Sequence, residues 1–368
     1  MEYREYRPGD EKELNDLYNE VFKRNRTIEQ WKWEYIETPA GPGKILLVEE
    51  DGKLIAHEAM VPMRFHVLDR DVLSGKIEDA YISRAFRGKK LFGPLTEKCI
   101  EISEQAGYLV TFGLTARPVN YQLHVTRGYR HTCSLNAYFA PLRPSEVLSD
   151  IVRVLKPSAP KRMAMKPVLD ILSRRFNAKA EKFANVSDRQ EIERVARFDA
   201  RFDDLWKEFT TGRRIISITR SSAFLNWRYI DNPYRKYDVF AAVSGGRLVG
   251  YLCAAVVTRE DMDLSIRVGV ISDFLVLPGH ETAFSSLVRR AVEAWRANDA
   301  DAAIAWVHRD GVYSRAIVPV LKKSGLVSTW GKYDIPFLVR TLGREIDETS
   351  FYDVGNWHVT QAFGGAWV

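Results

Sequence analysis

Hydrophobic and polar positions repeat in this chain on two scales, one local and one spanning half its length. Locally, Leu14, Leu17, Tyr18 and Phe22 recur at helical spacing after the cap Pro8-Gly9-Asp10, which predicts a helix over residues 11–22. A short strand over 3–6 precedes it. A second helix carries Trp33 and Tyr35 and stops before Pro39, because proline disfavours helical geometry in the residue ahead of it. Two apolar runs, 45–49 and 54–68, flank Asp51-Gly52 and predict a hairpin. A strand over 76–83, a helix over 89–105, a strand over 108–113, a short helix over 119–126 and a strand over 131–139 complete the unit.

The same order returns 194 residues later. Trp33-Glu34-Tyr35-Ile36-Glu37-Thr38-Pro39 is answered by Trp227-Arg228-Tyr229-Ile230-Asp231-Asn232-Pro233. Without a gap, residues 45–61 fall on 239–255, Gly52-Lys53-Leu54 lands on Gly246-Arg247-Leu248, and Ile77-Glu78-Asp79 lands on Ile271-Ser272-Asp273. A register held over that span means one unit written twice. The second copy is expected to show a strand over 181–186, a helix over 188–208 and the repeated phrase over 221–229. A hairpin over 237–258, a strand over 268–277, a helix over 281–297 and a strand over 302–308 follow. Gly128 matches Gly325 only if three residues are inserted, which a loop absorbs. The aromatic, glycine-rich stretch 351–368 reads as a closing strand. The expected organisation is a first domain over 1–145, a basic linker over 146–180 and a second domain over 181–368. Trp33, Tyr35, Trp227 and Tyr229, present in both copies, read as core or interface packing.

Composition narrows the class. At 368 residues, 46% hydrophobic and 28% charged, each copy is long enough to bury a core. No run approaches the roughly 20 apolar residues that span a bilayer, and the N-terminus lacks an apolar signal core, so a cytoplasmic location is expected. Cys99, Cys133 and Cys253 are too few and scattered for a disulfide framework, and the seven histidines show no metal-ligand spacing, so no metal is expected. The net charge of +6 is local, since residues 151–182 hold nine Lys/Arg against Asp170 and Glu181. These cations sit in a proline-punctuated connector and are not spread over a face with aromatics between them, which argues against nucleic-acid wrapping. A solvated linker is expected, with peripheral contact of 153–182 to an anionic membrane or carrier as the alternative.

Chemistry concentrates where a strand of the first copy gives way to a helix, over residues 77–92. An apolar strand ends, a basic turn with one glycine follows, and a helix begins. Unpaired N–H groups and the helix dipole favour a phosphate or pyrophosphate there, and Arg84, Arg87, Lys89 and Lys90 add charge. In register, Arg87-Gly88-Lys89 falls on Glu281-Thr282-Ala283, whose carboxylate repels a polyanion. The first copy is therefore the candidate site. Glu78 stands opposite Ser272, whereas Asp79 and Asp273 agree. A shared aspartate is what a structural hydrogen bond produces; a carboxylate found only in the phosphate-competent copy is the candidate general base.

This segment resembles the signature of the GNAT superfamily of acyl-CoA-dependent N-acyltransferases, Arg/Gln-x-x-Gly-x-Gly/Ala between a hydrophobic strand and a helix. Arg87-Gly88 fits its start, while Lys90 and Phe92 stand where the family has glycine or alanine. The element order over about 1–145 and 180–345 is similar to the family as well. The resemblance implies an α/β (α+β) fold of two tandem GNAT-like domains, each a mixed, largely antiparallel sheet flanked by helices, the second degenerate. It implies acetyl-CoA or another acyl-CoA as co-substrate, held by Ala80, Tyr81, Ile82, Arg87, Gly88, Lys89, Lys90, Leu91 and Phe92, with Asn120 on the pantetheine arm. Glu78 is implied as the base that frees the amine. The acid that protonates the departing thiolate falls on His124, four residues ahead of Gly128 where the family has tyrosine, with Tyr121 one turn earlier as the alternative. The implied acceptor is an amine such as an amino sugar or an aminoacyl compound. Two other readings stand beside this one: a Fem-type transferase, also a doubled GNAT-like fold, using aminoacyl-tRNA, and a catalytically inactive tandem pair acting as a binding module.

Overall fold

The computed structural model describes residues 1–143, 190–261, 264–329, 331 and 333–365, together with 167, 170, 171 and 174. The first copy runs β1 (Glu2–Glu5), α1 (Glu11–Phe22), α2 (Ile28–Tyr35), β2 (Lys44–Glu50), β3 (Lys53–Val67), β4 (Arg70–Ile82), α3 (Phe92–Gln105), β5 (Val110–Leu114), α4 (Pro118–Val125) and β6 (Arg130–Pro141). The second begins β7 (Glu191–Arg194), α5 (Ala200–Thr210), β8 (Ile216–Ile218) and α6 (Ser222–Leu225), which continues as a π-helical turn (Asn226–Ile230). It goes on through β9 (Asp238–Ser244), β10 (Arg247–Asp261), β11 (Leu264–Val276), α7 (Glu281–Ala297), β12 (Ala302–Val307), α8 (Ser314–Lys323), β13 (Val327–Ser328), β14 (Ile335–Thr341) and α9 (Glu348–Phe351).

The helices form where one face can be buried. α1 buries Leu14, Leu17 and Tyr18, and α7 buries Phe284, Leu287, Val288, Ala291 and Trp295. α2 starts in a capping box in which Thr27 accepts from the Gln30 N–H and the Gln30 side chain accepts in return. Gly75 and Gly269 hold the same register position in β4 and β11. A Cβ there would lie 2.9 Å from Tyr108 and 2.4 Å from Trp295, so each glycine lets an aromatic ring lie flat on its strand.

Two expectations are corrected. Residues 188–208 are not one helix: β7 pairs with β9, and α5 starts only at Ala200 after the Asp199 cap. Glu-Ile-Glu-Arg fits either period, and the open edge of β9 decides it. The tail is not a closing strand either. It folds as α9 and two short 3₁₀ turns, while the strand that closes the sheet is β14. The strand expected over 181–186 lies outside the described residues, as does nearly all of the basic connector. No described helix is long and apolar enough to cross a membrane.

The strand order is β1-β2-β3-β4-β5-β14-β6-β12-β11-β10-β9-β7, with β8 on β3 and β13 on β6. β4–β5 and β11–β12 are parallel, and the other described pairings are antiparallel. The halves trade strands. β14, late in the chain, fits between β5 and β6 of the first half, and β6 runs on to pair with β12 of the second. At the centre the repeated phrases meet across a local pseudo-twofold. Trp33 and Trp227 stack at 4.7 Å, and each indole N–H donates to the other's backbone carbonyl at 3.1 Å. Such a stack is worth about 0.5–1.5 kcal/mol beyond its burial.

Candidate active site

Parallel pairing of β4 with β5 ends at Lys76 and Phe112, while β4 continues to Ile82 and β5 to Leu114. The strands part there and leave a notch. Ile77, Asp79, Ala80, Ile82, Gly113 and Leu114 along it are partly exposed. A Cβ on Gly113 would meet nothing within 4 Å, so the notch has room at its β5 side. Beyond Lys76 the β5-facing edge of β4 has no partner strand among the described residues, which leaves backbone groups for an extended ligand arm.

From the mouth of this notch the chain makes a 3₁₀ turn, Arg84–Phe86, and reaches α3. Arg84, Arg87, Gly88, Lys89 and Lys90 are all exposed, Leu91 is buried and Phe92 is partly buried. Gly88 and Lys90 have φ of 84° and 57°. Helix geometry is excluded there, so α3 starts at Phe92 and not at Lys89 as expected. Lys90 thus adopts the left-handed conformation that glycine takes without cost, and its side chain points into solvent. Lys89 Nζ lies 4.4 Å over the Phe86 ring, and the Arg127 guanidinium lies 5.3 Å over Phe92. Gly93 leaves space for that guanidinium, since a Cβ would stand 2.6 Å from Arg127 Nη2.

On β4 itself a bulge puts Asp79 at φ 50°. Its carboxylate accepts from Arg26 at 2.7 Å and from the Tyr35 hydroxyl at 2.6 Å. In the second copy Arg220 pairs with Asp273, which also accepts from Tyr251 at 2.8 Å. The aspartate shared by the copies is a structural anchor in each. Its neighbour Glu78 is 7% exposed and forms an ion pair with Lys76. Burial, and then the charge of Arg228, pushes the Lys76 ammonium down to about 7.

α4 presents Asn120 exposed and Tyr121 partly exposed, with the Tyr121 hydroxyl 3.5 Å from His131 Nδ1. His124 is buried against Phe92 and Tyr129, with ring centroids at 6.4 and 5.2 Å. Burial, and then Arg127, pushes its imidazole down to about 4, so it is neutral at pH 7. Of the described residues, no group of three or more His, Cys, Asp and Glu is arranged to hold a metal ion.

The family model described as an acetyltransferase (GNAT) domain matches residues 2–131. The match covers a little over a third of the chain. No curated protein matches the sequence. Among solved structures, a probable N-acyltransferase from Enterococcus faecalis V583 superposes with a TM-score of 0.60 at 12% identity, over 92% of this chain and 72% of that one. A GCN5-related N-acetyltransferase from Anabaena variabilis gives 0.60 at 14% identity, over 93% and 73%. The N-myristoyltransferase of Saccharomyces cerevisiae with bound myristoyl-CoA gives 0.56 at 12% identity, over 92% and 82%. The fold shared with these structures thus extends over both halves.

The second half has the same parting of strands, after Ile271 and Ala305, but the chain's own tail fills it. Thr360 bridges to Val307 on the side of β12 that faces β11, and its hydroxyl donates to Asp273 at 2.7 Å. His308 Nδ1 meets the Trp357 carbonyl at 3.1 Å. Every residue over 357–363 is buried, as are Ser272 through Val276. Glu281 replaces the basic turn and accepts from the Gly279 N–H at 3.0 Å, so a carboxylate of the chain itself sits at the start of α7. Sequence reading missed Arg26, Arg228 and this tail. The first was within reach, since Arg26 and Arg220 share the 194-residue offset. The tail has no counterpart in the first copy; its aromatic, glycine-rich composition suggests a closing strand, and nothing in it points to the notch.

Proposed function

We propose that the protein is an acyl-CoA-dependent N-acyltransferase that moves an acetyl group from acetyl-CoA to an amine such as an amino sugar or an aminoacyl compound. The observation that carries this reading is that the first notch is open and ends in an exposed basic turn, whereas the second is closed and ends in a carboxylate. In this reading the pantetheine arm lies along Ala80, Tyr81 and Ile82 with Asn120 at its side. The pyrophosphate meets the turn from Arg87 to Phe92, where Arg87, Lys89 and Lys90 add charge to the N–H groups of the first turn of α3. Glu78, two residues past the last β4–β5 pair, takes the ammonium proton of the amine. The freed nitrogen attacks the thioester carbon, a backbone N–H near 80–82 holds the oxyanion, and the thiolate leaves with a proton. Tyr121 is the proposed donor of that proton; buried and neutral, His124 is better suited to hold Phe92 and α4 in place.

Isothermal titration with acetyl-CoA, repeated with myristoyl-CoA to read acyl length, tests the claim. Heat at micromolar ligand that disappears in Arg87→Glu is the expected result. No heat with either donor at millimolar concentration sinks the reading.

A further inference from the structure

Three of the positions at which the two copies differ in charge converge on one place. Glu34 and Arg228 occupy the same position of the repeated phrase, Lys76 stands opposite Val270, and Glu78 stands opposite Ser272. Glu34, Lys76, Glu78 and Arg228 together line a cavity of about 10 Å³, bounded by the stacked Trp33 and Trp227 and by Val61 and Met63. By contrast, the charges the copies share pair off inside each copy, Arg26 with Asp79 and Arg220 with Asp273.

Arg228 is 3% exposed, and it makes no ion pair with a described carboxylate. Its Nη2 donates to the carbonyls of Gly364 at 2.8 Å and Gly365 at 3.0 Å, and its Nε has no hydrogen-bond partner. A buried cation left in that state is costly unless a neighbouring charge or a water compensates it. Glu34 Oε1 is likewise buried and without a hydrogen-bond partner, while its Oε2 accepts from Tyr234 at 2.9 Å and lies 3.6 Å from Arg26 Nη1. The cavity has room for one water, and Arg228 Nε as donor with Glu34 Oε1 as acceptor supplies the polar partners a buried water needs. The charged groups around Glu78 are Lys76 on its own strand, Glu34 from α2, Arg228 from the π-helical turn, and Asp79, which Arg26 neutralises. Burial, and then Asp79, pushes Glu34 up to about 7.

We infer that Arg228, supplied by the second half, is a positioning residue for proton removal in the first, holding Glu78 ionised across the cavity water. Glu34 receives the proton that Glu78 collects. The inference rests on the acyl-transfer reading above. An N–H bond of the ammonium breaks as an O–H bond forms on Glu78, and the freed electron pair forms the C–N bond. The C–S bond then breaks. The thiolate takes a proton from Tyr121, which is restored by the second nitrogen proton, and the proton on Glu78 passes through the water to Glu34 and out to solvent.

The test is the pH profile of kcat/KM for Arg228→Met and Arg228→Lys, read as release of the CoA thiol over a panel of amines, beside titration with acetyl-CoA. In Arg228→Met the acidic limb is expected to move up by about one pH unit, which is about a tenfold loss below the limb, with acetyl-CoA binding unchanged. Arg228→Lys keeps the charge and should restore the wild-type limb. An unmoved limb in Arg228→Met, or equal impairment in both variants, overturns the inference. If circular dichroism shows Arg228→Met misfolded, Lys76→Met reads the same limb with the same expected direction, and an unmoved limb there overturns it equally. Wild-type protein that gives no heat with acetyl-CoA brings down the acyl-transfer reading itself, and the titration tells that failure from the other.

Discussion

The two halves part a pair of parallel strands at the same point of the fold and then treat the gap in opposite ways. In the first, the gap between β4 and β5 stays open and faces an exposed basic turn; in the second, the gap between β11 and β12 is stoppered by Trp357 to Phe363. Strand parting is therefore a property of the scaffold and not evidence of a site. What separates the two copies is who occupies the gap. The tail also reaches across, since Phe363 packs on Phe65, Phe112 and Phe337 of the first sheet, so the segment that closes one notch helps to form the floor near the other.

The comparison breaks most sharply if the shared anchors are unequal. Asp273→Asn leaves the buried Arg220 without a carboxylate and should cost about 3–5 kcal/mol in urea unfolding, and Asp79→Asn, which leaves Arg26 only Glu34 at 3.6 Å, should cost about as much or somewhat less. A large loss in one copy alone would show that the copies do not use this pair alike. Next in size, Gly113→Leu fills the open notch and should weaken acetyl-CoA binding by about tenfold or more while leaving the unfolding midpoint near wild type. The corresponding Ala305→Leu enters a packed site, so it should cost about 1–3 kcal/mol of stability and leave binding alone. Calorimetry and urea titration of the two variants separate these outcomes.

Charge reversal gives a smaller contrast. Arg87→Glu would remove the proposed phosphate contact, worth about 1.5–3 kcal/mol, so affinity for acetyl-CoA should fall about tenfold or more, whereas Glu281→Arg should not move it. A pH-dependent contrast concerns Glu58, which faces Thr96 beneath α3 and has Leu252 as its counterpart. Burial raises its carboxyl from 4.5 to about 8. The folded state therefore holds a proton that the unfolded chain has lost, and this contribution is full below about pH 4.5 and declines as pH rises through about 8. Urea midpoints at several pH values should fall less steeply for Glu58→Leu than for wild type, and parallel curves would disprove the assignment.

Much of each copy was legible in the sequence. Helices 11–22 and 281–297 came out with their observed bounds because amphipathic spacing and tertiary packing agree there. The same holds for the basic turn and for the split between Asp79, kept in both copies, and Glu78, found in one. Other features were hidden for physical reasons. A repeat register is identical whether β14 closes its own half or the other, so the strand exchange could not be read from it. The positive φ of Lys90 comes from the path between β4 and α3, not from a residue that advertises it. Glu78 carries no sequence mark of burial, because its cover comes from Trp227 and Arg228 of the other half.

The exchange of β14 has a consequence for how the chain is made. β5 is complete at Leu114, but the strand that covers its edge begins at Ile335. At about 5–20 residues per second, the ribosome leaves that edge uncovered for on the order of tens of seconds. Throughout that interval the nascent first half is a sheet with a missing member, open to pairing with any other strand, including the same edge on a neighbouring chain. Synthesis of this protein should therefore depend on chaperone cover until Ile335 to Thr341 has emerged.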